Sequence, residues 1–212
     1  MRKKIIILSI AIGLVCTAAI GNAVAYFSES SEVKNIITTN SLGVGIVEDS
    51  NQTISINDSQ IVPGIEIDKP VCIENTDKET EYVKVTVTKY WAEIDTQDCT
   101  LRKEDSDASV IDLITKNKED WIILSDEIID DENNETLILF YKEPIKSGEK
   151  TSNVFDLVKI SPEIDNSYTH SSIQINLLVE AVQATNGKSA IEGEWGMEVK
   201  FDDNGIIEEV IY

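Results

Sequence analysis

The stretch from Glu81 to Ile94 constrains this chain more than any other, because Val83, Val85 and Val87 alternate there with Tyr82, Lys84, Thr86 and Thr88. Successive side chains of a β-strand point to opposite faces, so this period of two, rich in β-branched residues, describes a strand with one apolar face turned inward. Tyr90 and Trp91 close the pattern.

The same period recurs along the chain. Leu42, Val44 and Ile46 alternate with two glycines, and Ile54 and Ile56 with serine and asparagine. Val62-Pro63-Gly64 reads as a turn, since proline fixes φ and glycine accepts positive φ, and a strand over 65–74 follows with Val71 and Ile73. Asn75-Thr76-Asp77-Lys78 is the next turn. Residues 121–124 and 136–141 are apolar, β-rich runs expected to be neighbours across a connection dense in Asp, Glu and Asn. A loop over 144–151 contains Ser147-Gly148-Glu149-Lys150, and strands over 154–160 and 172–182 complete the pattern, the last with Ile173, Ile175, Leu177 and Val179 inward.

Two segments break the alternation. In 95–119, Ser106 or Asp107 is placed to cap a short helix carrying Val110, Ile111 and Ile114, with Lys116 and Lys118 near its C-terminal end. The small residues of 184–196 read as a linker. Beyond them, 197–201 and 206–212 flank Asp202-Asp203-Asn204-Gly205, and Asn-Gly between alternating runs signals a hairpin. Roughly eight core strands without regular strand–helix alternation predict an all-β fold. The expected form is an antiparallel jelly-roll or immunoglobulin-like β-sandwich with one short helix and a C-terminal hairpin.

The N-terminus reads as an export signal. Arg2, Lys3 and Lys4 form a basic start, residues 5–20 an apolar core, and Ala23-Val24-Ala25 the small-x-small pattern that signal peptidases cut after, which places the mature N-terminus at Tyr26. The alternative is an uncleaved anchor, since residues 5–25 just reach the roughly 20 residues that span a bilayer, although Gly21 and Asn22 interrupt the run. Val15 before Cys16 does not fit a lipoprotein signal. The expected organisation is a signal peptide at 1–25, an N-terminal arm at 26–40, a sandwich at 41–185, and a linker with a C-terminal hairpin at 186–212.

Cleavage removes three positive charges and no acids, so the formal net charge of −21 becomes −24. Such a surface repels nucleic acid and anionic lipid. An apolar fraction of 42% is too high for a disordered acidic tail. Export permits a disulfide between Cys72 and Cys99, against two separate thiols in a reducing habitat.

Several blocks, in order, carry a family resemblance: the export segment running into Tyr26-Phe27-Ser28-Glu29, then NIITTNSLGVGI at 35–46, Val62-Pro63-Gly64, the strand over 82–88, Phe140-Tyr141-Lys142 with Gly148, and VEAVQ at 179–183. In these the chain resembles the TasA/camelysin family of secreted matrix proteins, whose signals are read by a dedicated SipW-type peptidase. The segment 95–120 and the terminal hairpin lie outside the resemblance.

The resemblance implies a jelly-roll-like subunit that accepts a strand from its neighbour in fibre-forming members. Here the donor is the arm beginning at Tyr26, with Tyr26, Phe27 and Val33 as anchors and Ile36 and Ile37 as the hinge. An exposed sheet edge offers unpaired N–H and C=O groups that an extended arm satisfies. The alternative is an arm that folds back on its own domain or stays disordered.

Camelysin-like members are classed as metallopeptidases, but zinc hydrolysis usually needs two or more histidine or carboxylate ligands and a base. The chain has one histidine, His170, in a polar loop, no His-Glu-x-x-His and no Gly-x-Ser-x-Gly. Its 39 acidic residues make chance carboxylate pairs inevitable. The acidic runs Asp126-Glu127, Asp130-Asp131-Glu132 and Asp202-Asp203-Asn204-Gly205 invite a calcium reading, yet none has the EF-hand spacing, and solvated turns explain them.

The sequence therefore predicts a non-enzymatic structural protein of the cell surface or biofilm matrix, needing no metal or other cofactor. Its expected partners are copies of itself, signal peptidase during export and an accessory matrix protein, not nucleic acid. The alternatives are a monomeric surface module that binds through loops such as 95–119 or 161–171 and, behind it, a camelysin-like peptidase.

Overall fold

Alternation at Glu81–Ile94 produces the strand around which the rest is arranged. The computed structural model describes residues 43–48, 62–94, 100–102, 106–124, 134–168 and 171–211, all within one unit, Asn35–Tyr212. One antiparallel sheet runs in the order β1 (Val44–Glu48), β2 (Glu66–Asn75), β8 (Phe155–Ile160) and β5 (Ile111–Ile114). The other is built on β3 (Glu81–Ile94), paired with β4 (Thr100–Arg102), β7 (Thr136–Tyr141) and β9 (Ser171–Gln183), with β6 (Trp121–Ile123) beyond β7.

The two sheets close on an apolar core in the way the periodicity requires. Val83, Val85, Val87 and Trp91 of β3 and Ile173, Ile175, Leu177 and Val179 of β9 meet Val71 and Ile73 of β2 and Phe155, Val158 and Ile160 of β8. Each such side chain taken fully from water contributes about 1.5–3 kcal/mol. The fold is an all-β sandwich with one short helix and a C-terminal hairpin.

A third layer covers the outer face of the β3 sheet. Helix α1 (Gly187–Trp195) and the hairpin of β10 (Glu198–Phe201) and β11 (Ile207–Ile211) pack Ile191, Trp195, Val199 and Ile207 against Tyr82, Phe140 and Val182. The Tyr82 hydroxyl donates to the Gly205 carbonyl at 2.6 Å, fastening the hairpin turn to β3. Gly205 has φ +82°, the left-handed backbone expected of an Asn-Gly turn.

The helix lies elsewhere than the sequence reading placed it. Asp107 does cap a turn, accepting the Ser109 N–H at 2.7 Å, and Ser109's hydroxyl and N–H hold the Asp107 carboxyl below its ordinary range. That turn is a single 3-10 turn, Ala108–Val110, and the chain then extends into β5 along the edge of β8. Ile111 and Ile114 are β-branched, so a sheet edge outcompetes a helix there.

Conversely, the expected linker holds α1. Gly187, Ile191 and Trp195 recur every four residues and are buried on one face. Lys188 pairs with Glu192 at 3.7 Å, and Gly196, at φ +68°, ends the helix. Neither the sequence-predicted strand at Ile54 and Ile56 nor Leu42 lies within the described residues.

Candidate functional site

A strand has two edges, and the pairing of β3 shows which one is left over at the side of its sheet. β9 runs along β3 from Glu81↔Gln183 to Glu93↔Ser171, so β7 and β4, paired with residues 84–88 and 92–94, share the opposite edge of β3. β9 is consequently the outermost strand on its side. Among the described residues, no strand pairs with its second edge.

That edge carries little protection. Proteins usually blunt an exposed edge with charges, proline, bulges or brevity. β9 is 13 residues long, SSIQINLLVEAVQ, without proline or glycine and with one charged residue, Glu180. The Glu180 carboxylate is engaged by Lys84 across the strands at 2.7 Å. Leu178 points outward from the opposite face to the core and is 37% exposed.

A groove of about 440 Å³ lies at the C-terminal end of β9, bounded by Glu180, Gln183, Thr185, Ala190, Glu194 and Trp195. Its lining includes all four consecutive residues 180–183. Consecutive strand residues face alternate sides, so a cavity touching four in a row runs along the strand's edge. α1 forms the other wall. The Lys84 ammonium sits 5.4 Å from the Trp195 ring centroid, and Phe140 packs on the same ring at 5.7 Å.

The same end of the sandwich holds an unusual buried acid. Glu81, opposite Gln183 in the β3–β9 ladder, is fully buried, and neither carboxylate oxygen has a hydrogen-bond partner among the described residues. Burial, and secondarily the charge of Asp77, push its carboxyl above the ordinary glutamate range. Nearby Asn75 is equally buried but satisfied: its amide donates to the carbonyls of Glu79 and Ile145 at 2.7 and 2.9 Å, and its oxygen accepts the Asp77 N–H.

The sequence-predicted residues distribute unevenly over this frame. Ala23, Ala25, Tyr26, Phe27, Val33, Cys99, His170 and the acidic runs at 126–132 lie outside the described residues. Cys72 is half-buried on β2, opposite Val47 of β1. Asp202 shapes the hairpin turn, its carboxylate accepting the N–H groups of Ile206 and Asn204, each at 2.8 Å. Those bonds, the one from Ile206 foremost, hold the Asp202 carboxyl below its ordinary range. Among the described residues no three His, Cys, Asp or Glu side chains gather as metal ligands.

The groove and Glu81 were missed from sequence. The fourfold spacing of Gly187, Ile191 and Trp195 is the signal that reveals α1 and thereby one groove wall. Nothing local marks Glu81, because its burial comes from the loop that pairs Ile145 with its backbone.

No family model matches the chain. No curated protein and no solved structure matches it either.

Proposed function

We propose that this protein is an exported structural component of the cell surface or biofilm matrix, of the TasA/camelysin type, whose subunits join by strand donation. The observation that carries this reading is the long, scarcely charged edge of β9. An arm beginning at Tyr26 supplies the backbone groups that such an edge needs. The mechanism is main-chain pairing between identical subunits, with side-chain anchors setting register.

The test compares the mature chain, 26–212, with a variant lacking 26–34, by electron microscopy and sedimentation. The mature chain is expected to form fibres and the truncated variant to remain a folded monomer. Fibres of unchanged yield from the truncated variant would refute strand donation by the arm. A mature chain that stays monomeric under all conditions supports instead a surface binding module.

A further inference from the structure

The groove beside β9 has a chemistry more specific than an apolar slot. Glu180 is compensated by Lys84, whereas Glu194 on the rim is exposed and has no ion pair or hydrogen bond among the described residues. Ala190 and Trp195 line the same groove. An exposed carboxylate in a groove also lined by an aromatic and a methyl side chain fits a cationic group carried next to an apolar ring.

Export cleavage after Ala25 creates such a group within this chain. Tyr26 then bears an α-ammonium, whose ordinary pKa of about 7.7–8.0 keeps it mostly charged at neutral pH, directly beside its own ring. Position agrees with chemistry. Every strand pair described in this fold is antiparallel, and an arm added antiparallel to β9 begins opposite the strand's C-terminal end, where the groove lies. Residues 26–34 span about 30 Å when extended, so the arm fits within the length of the 13-residue β9.

We propose that the groove of one subunit captures the N-terminal residue of a second copy, Glu194 pairing with the Tyr26 α-ammonium and the Tyr26 ring resting against Ala190 and Trp195. This rests on the strand-donation reading and adds to it a chemical requirement: the donor must be a free N-terminus made by cleavage. An uncleaved chain lacks the ammonium at that position and cannot fill the groove in this way.

The experiment titrates the mature chain, freed of fibres by sedimentation, into a synthetic peptide of residues 26–34, labelled on the Lys34 side chain, with its N-terminus either free or acetylated, and reads fluorescence polarisation. The free-amine peptide is expected to bind roughly twofold to fivefold more tightly than the acetylated one, the range of a solvent-exposed ion pair. Glu194→Gln, a surface change checked for folding by circular dichroism, is expected to erase that difference while leaving the acetylated peptide unaffected. Equal affinities of the two peptides, failure of both to bind, or a preference that survives Glu194→Gln overturns the proposal. Micrographs of the same mature chain keep the two readings apart. Fibres with equal peptide affinities remove the groove assignment alone, and amine-dependent binding without fibres removes assembly and keeps the groove.

Discussion

Glu81 places a carboxyl inside the sandwich with neither oxygen partnered among the described residues, and the consequence is a pH dependence of definite sign. Its folded pKa lies above its unfolded one, so its contribution to stability is fully present below the ordinary glutamate range. That contribution is lost as pH rises through the raised folded value. Glu81→Gln, neutral throughout, is expected to flatten the fall in denaturation free energy as pH rises above the ordinary glutamate range, measured against wild type. Parallel pH profiles for the two proteins would show that Glu81 is solvated or paired after all. Gly187 makes the opposite kind of statement, one of space. A Cβ there would stand 2.5 Å from the Tyr82 ring, and that ring is fixed by its hydroxyl on Gly205. Gly187→Ala is therefore expected to cost about 1–3 kcal/mol in urea denaturation. A change below a few tenths would mean that the ring moves freely aside.

At the level of elements, periodicity was legible wherever a strand has one dry face. β3 and β9 follow directly from Val83-Val85-Val87 and Ile173-Ile175-Leu177-Val179. The misreadings have a common cause, which is tertiary context. Asp107 caps a 3-10 turn as well as it caps a helix, and only the edge of β8 decides that Ile111–Ile114 extends. The helix at Gly187–Trp195 was obscured by its small residues, of which Gly187 sits against Tyr82 and Ala190 against the apolar cluster on the outer face of β3, while Ser189 and Gly193 are exposed. The edge of β9 was not legible, since an edge is a property of sheet order and not of one strand. Leu178→Lys tests that edge directly. A charge at an exposed position of an edge strand discourages pairing with little effect on the fold. The variant is expected to assemble much more slowly than wild type by light scattering, with a melting temperature changed by only a few degrees. Assembly at the wild-type rate would show that the edge takes no part.

For the molecule as a whole, electrostatics and assembly pull in opposite directions. Cleaved as proposed, the chain would carry a net charge of −24, three positive charges fewer than the full chain's −21, and copies of it would repel one another. Screening shortens that repulsion to about 10 Å at 0.1 M salt and about 3 Å at 1 M. The lag before fibre formation is accordingly expected to shorten as sodium chloride is raised across that range, and an unchanged lag would mean that charge does not set the barrier. The sequence showed the charge and the sandwich, but not the partition of the charge around the groove. Lys84 neutralises Glu180 and leaves Glu194 alone only because β3, β9 and α1 converge.

The clasp between Tyr82 and Gly205 also sets an order of events. A chain emerging from its N-terminal end presents β3 long before β9, the strand that pairs with nearly all of it, and before the hairpin that covers its outer face. The clasp joins residues 123 positions apart in sequence, and such long-range pairings form late and slowly. A chain not yet made as far as Gln183 thus has no finished β9 edge to offer. Under the strand-donation proposal, the capacity to receive a neighbour arrives only with β9, a delay that would keep half-made chains out of a growing polymer.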